Sequence, residues 1–321
     1  MSLTILTPLG ALLALGIVVP LVALLRARRK ATRVRAVLSV EQPRRRAVAV
    51  PLAALALGAA LLGLAAAQPV FEWTRDRTVR TDAEAFVVVD VSRSMLAQQG
   101  TDSPQRIERA RAVATSVRAA LPDVPVGVAT LTDRVLPHLF PSTDQEVFEA
   151  TLRRSIGIEK PPPRSSFATG ATSLNALATL RGLRFFTPKS TARLAIVLTD
   201  GESQPVSNAR LGGLFRRDPA IEVVFVQFWD EDERVYTRDV PEPQYLPDPS
   251  ARSALDRLAA SADGAVYSEA QVDTATSKAR ELLGAGPSVV IGEQAGQLAL
   301  APYLAAAALL PFGLLLWRRD R

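Results

Sequence analysis

The sequence has no cysteine and only one histidine, His138. Disulfide bonds, thiolate metal sites and cysteine nucleophiles are therefore excluded, and a zinc site of the usual kind lacks its ligands. A serine hydrolase would need a base, but His138 lies in an apolar run with no acidic neighbour, so we expect it to be structural. The sequence also lacks a glycine-rich phosphate loop of the nucleotide-binding types. These absences argue against an enzyme.

Positive charge is concentrated near apolar segments. The net charge is +6, but residues 26–46 contain nine Arg and Lys residues against the single acidic residue Glu41. The C-terminal residues 318–321 are also basic, so the long central region is mildly acidic. Because the basic residues lie outside the central region, the net positive charge does not indicate nucleic-acid binding.

Three long segments have no charged residue: 1–25, 47–71 and 294–317. A run of about 20 apolar residues is long enough to cross a bilayer, so we expect three transmembrane helices. Cytoplasmic loops carry the excess of Lys and Arg, which predicts that the basic loop 26–46 and the tail 318–321 are cytoplasmic. The sequence therefore predicts a multi-pass protein of the cell membrane with an extracytoplasmic central domain. The alternative is that these segments are buried helices of a large core.

The central residues 83–283 alternate between short apolar runs and segments with helical periodicity. Continuous β-branched runs such as Ala85–Asp90 and Leu194–Thr199 are typical of strands that are buried on both faces of a parallel sheet. Helical spacing follows in Pro104–Leu121, Thr172–Leu183 and Gln271–Leu283. Strands that alternate with helices predict an α/β fold with a doubly wound, mostly parallel sheet. The proline-rich residues 230–249, which we name the 230–249 segment, are predicted to form a loop.

Five oxygen-bearing side chains follow predicted strand ends or a helix start, where ligands bind in such folds. They are Asp90, Ser92, Ser94, Thr172 and Asp200. Hard oxygen ligands without nitrogen or sulfur suit Mg²⁺, with Mn²⁺ or Ca²⁺ as alternatives. In the simpler interpretation, the serines and Thr172 only cap helices and Asp200-Gly201 is an ordinary turn.

The pattern Asp90-x-Ser92-x-Ser94, with Thr172 two residues after Gly170 and Asp200 directly before Gly201, resembles the metal-ion-dependent adhesion site (MIDAS) of von Willebrand factor A (VWA) domains. The resemblance implies that these five residues are the metal ligands. One departure is Arg93, because glycine is common at that position. The arrangement of apolar segments around the domain resembles the bacterial aerotolerance (Bat-type) proteins. That likeness implies related membrane VWA proteins and a MoxR-type AAA ATPase as partners.

The sequence thus predicts a VWA module that binds a divalent metal and, through it, an acidic residue of a protein ligand. A metal-independent structural scaffold of a membrane complex is the alternative from another class. A metal-dependent hydrolase is a third, but no general base for a metal-bound water can be named. We therefore expect no catalytic residue.

Overall fold

The computed structural model describes residues 2–17, 22, 26, 30, 45–160, 162–163, 172–182 and 185–319. Most of the basic loop 26–46, the end of the basic tail and Gly170 lie outside the described residues. The chain divides into two compact units. One contains Met1–Asp76 and Gly292–Arg321, and the other contains Arg77–Ile291.

The described residues form strands, α-helices and short 3₁₀ helices. The strands are β1 (Ser2–Ile5), β2 (Pro69–Arg80), β3 (Ala83–Asp90), β4 (Val126–Leu131), β5 (Val135–Ser142), β6 (Ala192–Thr199), β7 (Ile221–Gln227), β8 (Tyr236–Thr237), β9 (Val240–Pro241), β10 (Ala265–Ser268) and β11 (Ser288–Ala299). The α-helices are α1 (Arg45–Ala66), α2 (Arg106–Ala120), α3 (Gln145–Ser155), α4 (Thr179–Gly182), α5 (Asn208–Phe215), α6 (Ala251–Ser261), α7 (Val272–Leu283) and α8 (Ala301–Arg319). The 3₁₀ helices are Pro8–Ile17, Arg93–Leu96, Leu174–Ala178 and Glu269–Gln271.

The unit Arg77–Ile291 is built around a six-stranded sheet in the order β10-β7-β6-β3-β4-β5. All neighbouring strands are parallel except β5, which pairs antiparallel with β4 at one edge. The chain starts in the middle of this sheet at β3 and extends to both sides of it. Strands β3 and β6 are neighbours, so their carboxyl ends, Asp90 and Thr199, lie side by side.

Strand β3 shows why this sequence forms a sheet that is covered on both faces. Every residue of β3 is buried, and its side chains alternate between two separate apolar cores. Val87 and Val89 belong to one core, whereas Phe86 and Val88 belong to the other. A strand alternates its side chains with a period of two residues, so a continuous apolar run can supply both faces.

Helices cover each face of the sheet. Apolar side chains of α2, α3 and α7 contribute to the first core, and those of α4, α5 and α6 contribute to the second. In α2 the buried positions Ile107, Ala110, Ala114 and Val117 follow the helical period. This part of the chain is therefore a mixed α/β fold with a mostly parallel sheet and helices on both sides.

The other unit contains the segments that we expected to be transmembrane helices. Within the described residues, the helices fall short of the combination of length and hydropathy that crossing a bilayer requires. The predicted transmembrane helices are therefore wrong, and so is the multi-pass membrane location deduced from them.

The physical reason for this error lies in how the apolar runs are divided between elements. In the first run, the chain forms strand β1 and the 3₁₀ helix Pro8–Ile17. In the last, residues 294–299 belong to β11, so α8 begins only at Ala301 and contains Pro311. Strands β1, β2 and β11 form a three-stranded sheet. Hydropathy alone does not distinguish such strands from a continuous helix.

Candidate functional site

The first part of the candidate site is the turn that follows β3. Asp90 ends this strand, and the backbone N–H of Ser92 donates to Asp90 Oδ1 at 2.9 Å. This contact is an Asx turn, in which a carboxylate fixes the backbone two residues further on. The hydroxyl groups of Ser92 and Ser94 lie 2.9 Å apart. Asp90 is fully buried, and both serines are at least nine-tenths buried.

Thr172 reaches the same carboxylate from a distant part of the chain. Its hydroxyl lies 2.9 Å from Oδ1 and 3.0 Å from Oδ2 of Asp90, to which it donates. The sequence predicted that Thr172 starts a helix. Instead, Thr172 forms an isolated parallel bridge with Ser203, and the 3₁₀ helix begins at Leu174.

Asp200 follows β6 and is fully buried. The backbone N–H of Glu202 donates to Asp200 Oδ1 at 2.9 Å, and hydrogen bonding with the side chain of Ser94 lowers the pKa of Asp200. Gly201 has a φ angle of +81°, in the left-handed region that glycine adopts without strain. The turn after β6 therefore depends on glycine at this position.

The structure thus brings all five residues predicted for the site together. Hydrogen bonds join Thr172 to Asp90, Asp90 to the backbone N–H of Ser92, and Ser92 to Ser94, and the side chain of Ser94 lowers the pKa of Asp200. Each residue comes from a loop at the carboxyl end of the parallel sheet or beside it. This is the edge at which open α/β sheets bind ligands.

Burial disfavours the charged forms of the two aspartates of the site. Burial raises the pKa of Asp90 to about 7, and the nearby charge of Asp200 adds to the rise. Burial also raises the pKa of Asp200, although Arg106 opposes this effect. The two carboxylates thus repel each other in a poorly solvated place, and a cation between them would relieve the repulsion.

Asp90 and Asp200 differ in how their charge is compensated. Within the described residues Asp90 forms no ion pair, and its partners are the neutral donors Ser92 N–H, Thr172 Oγ1 and Thr199 Oγ1. Asp200 is paired with Arg106 at 3.2 Å, and both side chains are fully buried. A buried carboxylate that lacks a cationic partner is costly unless a cation neutralises it.

The donor set fits a hard divalent cation. No cluster of three or more carboxylates or histidines is arranged for metal binding in the part of the chain that the structure describes. An ion at this site would therefore be held by the hydroxyl oxygens of Ser92, Ser94 and Thr172 and by one or two carboxylates, with water completing its shell. Mg²⁺ accepts this mixture of few carboxylates and several neutral oxygens.

Sequence reasoning missed a charged group beside the site. The side chain of Arg106 is fully buried and contacts Asp200, Glu202, Glu233 and Tyr245. A signal was present, because Arg106 lies on the face of α2 that also carries the buried residues Ala110, Val113 and Val117. Charged residues on an apolar helical face are the ones that find buried partners.

His138 is not part of this set of contacts. Its Nε2 atom lies 2.9 Å from the hydroxyl of Thr130, on the neighbouring strand β4. Burial lowers the pKa of His138. This partner is a hydroxyl group, whereas a base that is oriented for catalysis is held by a carboxylate in the familiar triads.

The geometry and the family comparison define the class of this protein. Residues 86–202 match the family model of the von Willebrand factor type A domain, so the chain contains a VWA domain. All five predicted site residues lie within the matched range. The resemblance inferred from the sequence motif is therefore confirmed.

The particular likeness is to Bat-type proteins of known structure. The conserved hypothetical protein BatB from Bacteroides thetaiotaomicron is 17% identical with a TM-score of 0.52, over 62% of this chain and 98% of that chain. An aerotolerance-related membrane protein from Bacteroides fragilis is 18% identical with a TM-score of 0.50, over 63% of this chain and 98% of that one. At these identities the similarity shows a shared fold. No curated protein sequence matches this chain.

Proposed function

We propose that this VWA domain binds a divalent cation through Asp90, Ser92, Ser94, Thr172 and Asp200, and captures an acidic residue of a protein ligand through that cation. VWA domains are generally protein-interaction modules, and we assign this one the same role without catalysis. Mg²⁺ is the proposed ion, with Mn²⁺ and Ca²⁺ as alternatives.

The observation that carries the proposal is the burial of Asp90 without a cationic partner among the described residues. This carboxylate is fully buried, and its described hydrogen-bond partners are all neutral. Three hydroxyl groups lie in the same set of contacts, and hydroxyl oxygens are ordinary ligands of hard cations. With at most two carboxylates in its shell, a bound Mg²⁺ keeps positive charge and can accept an oxygen from an external carboxylate.

A partner can be proposed only by class. We propose related VWA proteins and a MoxR-type AAA ATPase as candidates, because the fold resembles that of Bat-type proteins. The partner contributes an aspartate or a glutamate to the cation.

The test is calorimetric titration of the full chain with Mg²⁺ and Mn²⁺, in the parent and in Asp90→Ala. We expect binding that is lost in Asp90→Ala and kept in Asp256→Ala, a control that removes an exposed carboxylate from α6. Loss in both variants, or no loss in either, would contradict the assignment of this site.

Partner capture separates the proposal from the scaffold alternative. Purified VWA-domain proteins or a MoxR-type ATPase are tested for binding to the full chain with Mg²⁺ and again with EDTA. Binding that requires Mg²⁺ and Asp90 supports the proposal. Binding that persists in EDTA favours the metal-independent scaffold.

A further inference from the structure

The guanidinium group of Arg106 joins the candidate metal site to the 230–249 segment. Its Nη1 atom lies 3.2 Å from Asp200 Oδ2, 3.0 Å from Glu202 Oε1 and 2.9 Å from the hydroxyl of Tyr245. Its Nε atom donates to Glu233. The arginine side chain has no solvent exposure, so water does not screen its charge there.

The position of this charge is unusual for a cation site. Arg106 neutralises Asp200, a predicted metal ligand, whereas Asp90 has only neutral described partners. A divalent ion at these oxygens would be attracted by the two carboxylates and repelled by the buried guanidinium. In a poorly solvated site this repulsion is much stronger than at the surface.

We propose that Arg106 is an internal counter-charge of the cation site, which positions Asp200 and holds the affinity for a divalent ion low. This inference rests on the proposed function, because it requires the ion to bind beside Asp200. Arg106 is thus a positioning residue that acts through Asp200.

Glu233 offers a second substitution that tests this proposal, with the opposite expected effect on metal affinity. Its carboxylate is almost fully buried and is shared between Arg106 and Arg109, and Arg109 also pairs with Glu269 at 2.8 Å. Glu233 therefore offsets part of the charge of Arg106 through Nε, whereas Asp200 contacts Nη1. Neutralising Glu233 leaves more of the arginine's positive charge to act on the site.

Substitutions of Arg106 and Glu233 distinguish the proposal from a purely structural role of Arg106. If Arg106 only held the 230–249 segment through Glu233 and Tyr245, Glu233→Gln and removal of Arg106 would both loosen that segment. Their effects on metal affinity would then have the same sign or be absent. The electrostatic role predicts opposite signs.

The experiment is calorimetric titration of the full chain with Mg²⁺ and Mn²⁺ alone. We expect Glu233→Gln to weaken binding about threefold or more. Replacing Arg106 by Met in the Glu233→Gln background should tighten binding about tenfold relative to the parent. The second change is made in that background so that no buried Glu233 charge is left unpaired. Arg106→Lys keeps the charge and should stay close to the parent.

Arg118→Met is the matched control. Arg118 is also buried in α2, but it contacts the backbone carbonyl groups of Leu121 and Thr143. It lies 12 residues further along the helix, about 18 Å from Arg106 by the helical rise. Its removal should change stability without changing metal affinity.

The outcomes separate this inference from the proposed function. Opposite changes in the two variants support the counter-charge role, as does binding that appears only after Arg106 is replaced. Binding in the parent with equal affinity in all folded variants overturns the role of Arg106 and leaves the cation site intact. No binding in the parent or in any variant overturns both. If the double variant does not fold, Glu233→Gln alone decides, because unchanged affinity there contradicts the proposal.

Discussion

The hydroxyl group of Thr199 lies 2.6 Å from Oδ2 of Asp90, to which it donates, although the two residues are 109 positions apart in the chain. The same hydroxyl accepts a hydrogen bond from the backbone N–H of Gly201 at 3.1 Å. The contact exists because β3 and β6 are parallel neighbours that end at the same level. Thr199 therefore connects the two turns that carry the aspartates of the site.

Thr199→Val removes this connection without changing the shape of the side chain much. The buried Asp90 carboxylate loses a donor and the N–H of Gly201 loses its acceptor, so we expect the free energy of unfolding to fall by about 1–3 kcal/mol. Urea denaturation in the presence of EDTA measures the change. Thr115→Val is the control, because its hydroxyl donates only to a carbonyl group within α2. Equal effects of the two substitutions would contradict a special role for Thr199.

The raised pKa of Asp90 predicts how stability depends on pH when metal is absent. The pKa is about 7 in the folded protein and about 4 in an unfolded chain, so the folded state holds the proton more tightly. The stabilising contribution of the protonated carboxyl is complete below the unfolded pKa and is lost as pH rises through the folded pKa. We expect the free energy of unfolding in EDTA to decrease between about pH 4 and pH 7.

Asp90→Asn should make this dependence on pH less steep, because amide groups do not titrate. Asp200 and Glu202 also have raised pKa values, so part of the decrease should remain in the variant. Asp256→Asn, at an exposed ion pair of α6, should keep the slope of the parent. An unchanged slope in Asp90→Asn would show that Asp90 is not the group responsible.

The sequence allowed Asp90, Ser92, Ser94 and Asp200 to be placed at the end of the sheet, for reasons that are local. An apolar run such as Val87–Val89 identifies a buried strand, and a polar residue at its carboxyl end must lie at the ligand-binding edge of a parallel sheet. The same reasoning applies to Leu194–Thr199 and Asp200. Thr172 was named from a predicted helix start that the structure does not place there, and its contact with Asp90 spans 82 positions.

The roles of Arg106 and Thr199 could not be predicted in this way. Both depend on side chains from elements that are far apart in the chain. The position of Arg106 on the apolar face of α2 signals burial but does not identify its partners. The start of α2 was also misplaced. The predicted helix began at Pro104, whereas Gln105 is the N-cap residue and its backbone N–H donates to Glu108 Oε2 at 3.0 Å. This shift makes Arg106 the first helical residue.

His138 provides a pH dependence of the opposite sign. Burial lowers its pKa, so the folded protein favours the neutral ring. Its contribution to stability is present above the unfolded pKa of about 6.5 and is lost as pH falls through the lower folded value. His138→Gln can keep a hydrogen bond to Thr130 and should reduce the loss of stability in mild acid. Thermal unfolding in EDTA, measured from neutral pH into mild acid, tests this effect. An equal loss of stability in acid in the variant and the parent would contradict it.

Tyr245 anchors the 230–249 segment next to the candidate site. Its hydroxyl lies 2.9 Å from Glu202 Oε1, to which it donates, and accepts from Arg106 at the same distance. Tyr245→Phe removes both contacts, so the buried charged groups of Glu202 and Arg106 each lose one hydrogen-bond partner. We expect the free energy of unfolding to fall by about 1–2 kcal/mol.

The same substitution should also loosen the segment locally. Arg238 is an exposed residue of this segment, so the rate of trypsin cleavage after it reports how often the segment opens. We expect cleavage there to be several times faster in Tyr245→Phe than in Tyr236→Phe, a control in the same segment. If the two variants are cleaved equally fast, the hydroxyl of Tyr245 does not hold the segment. The segment would then be held by its other contacts, which are the ion pairs of Glu233 with Arg106 and of Glu242 with Arg93 and the backbone bridge between Gln98 and Arg234.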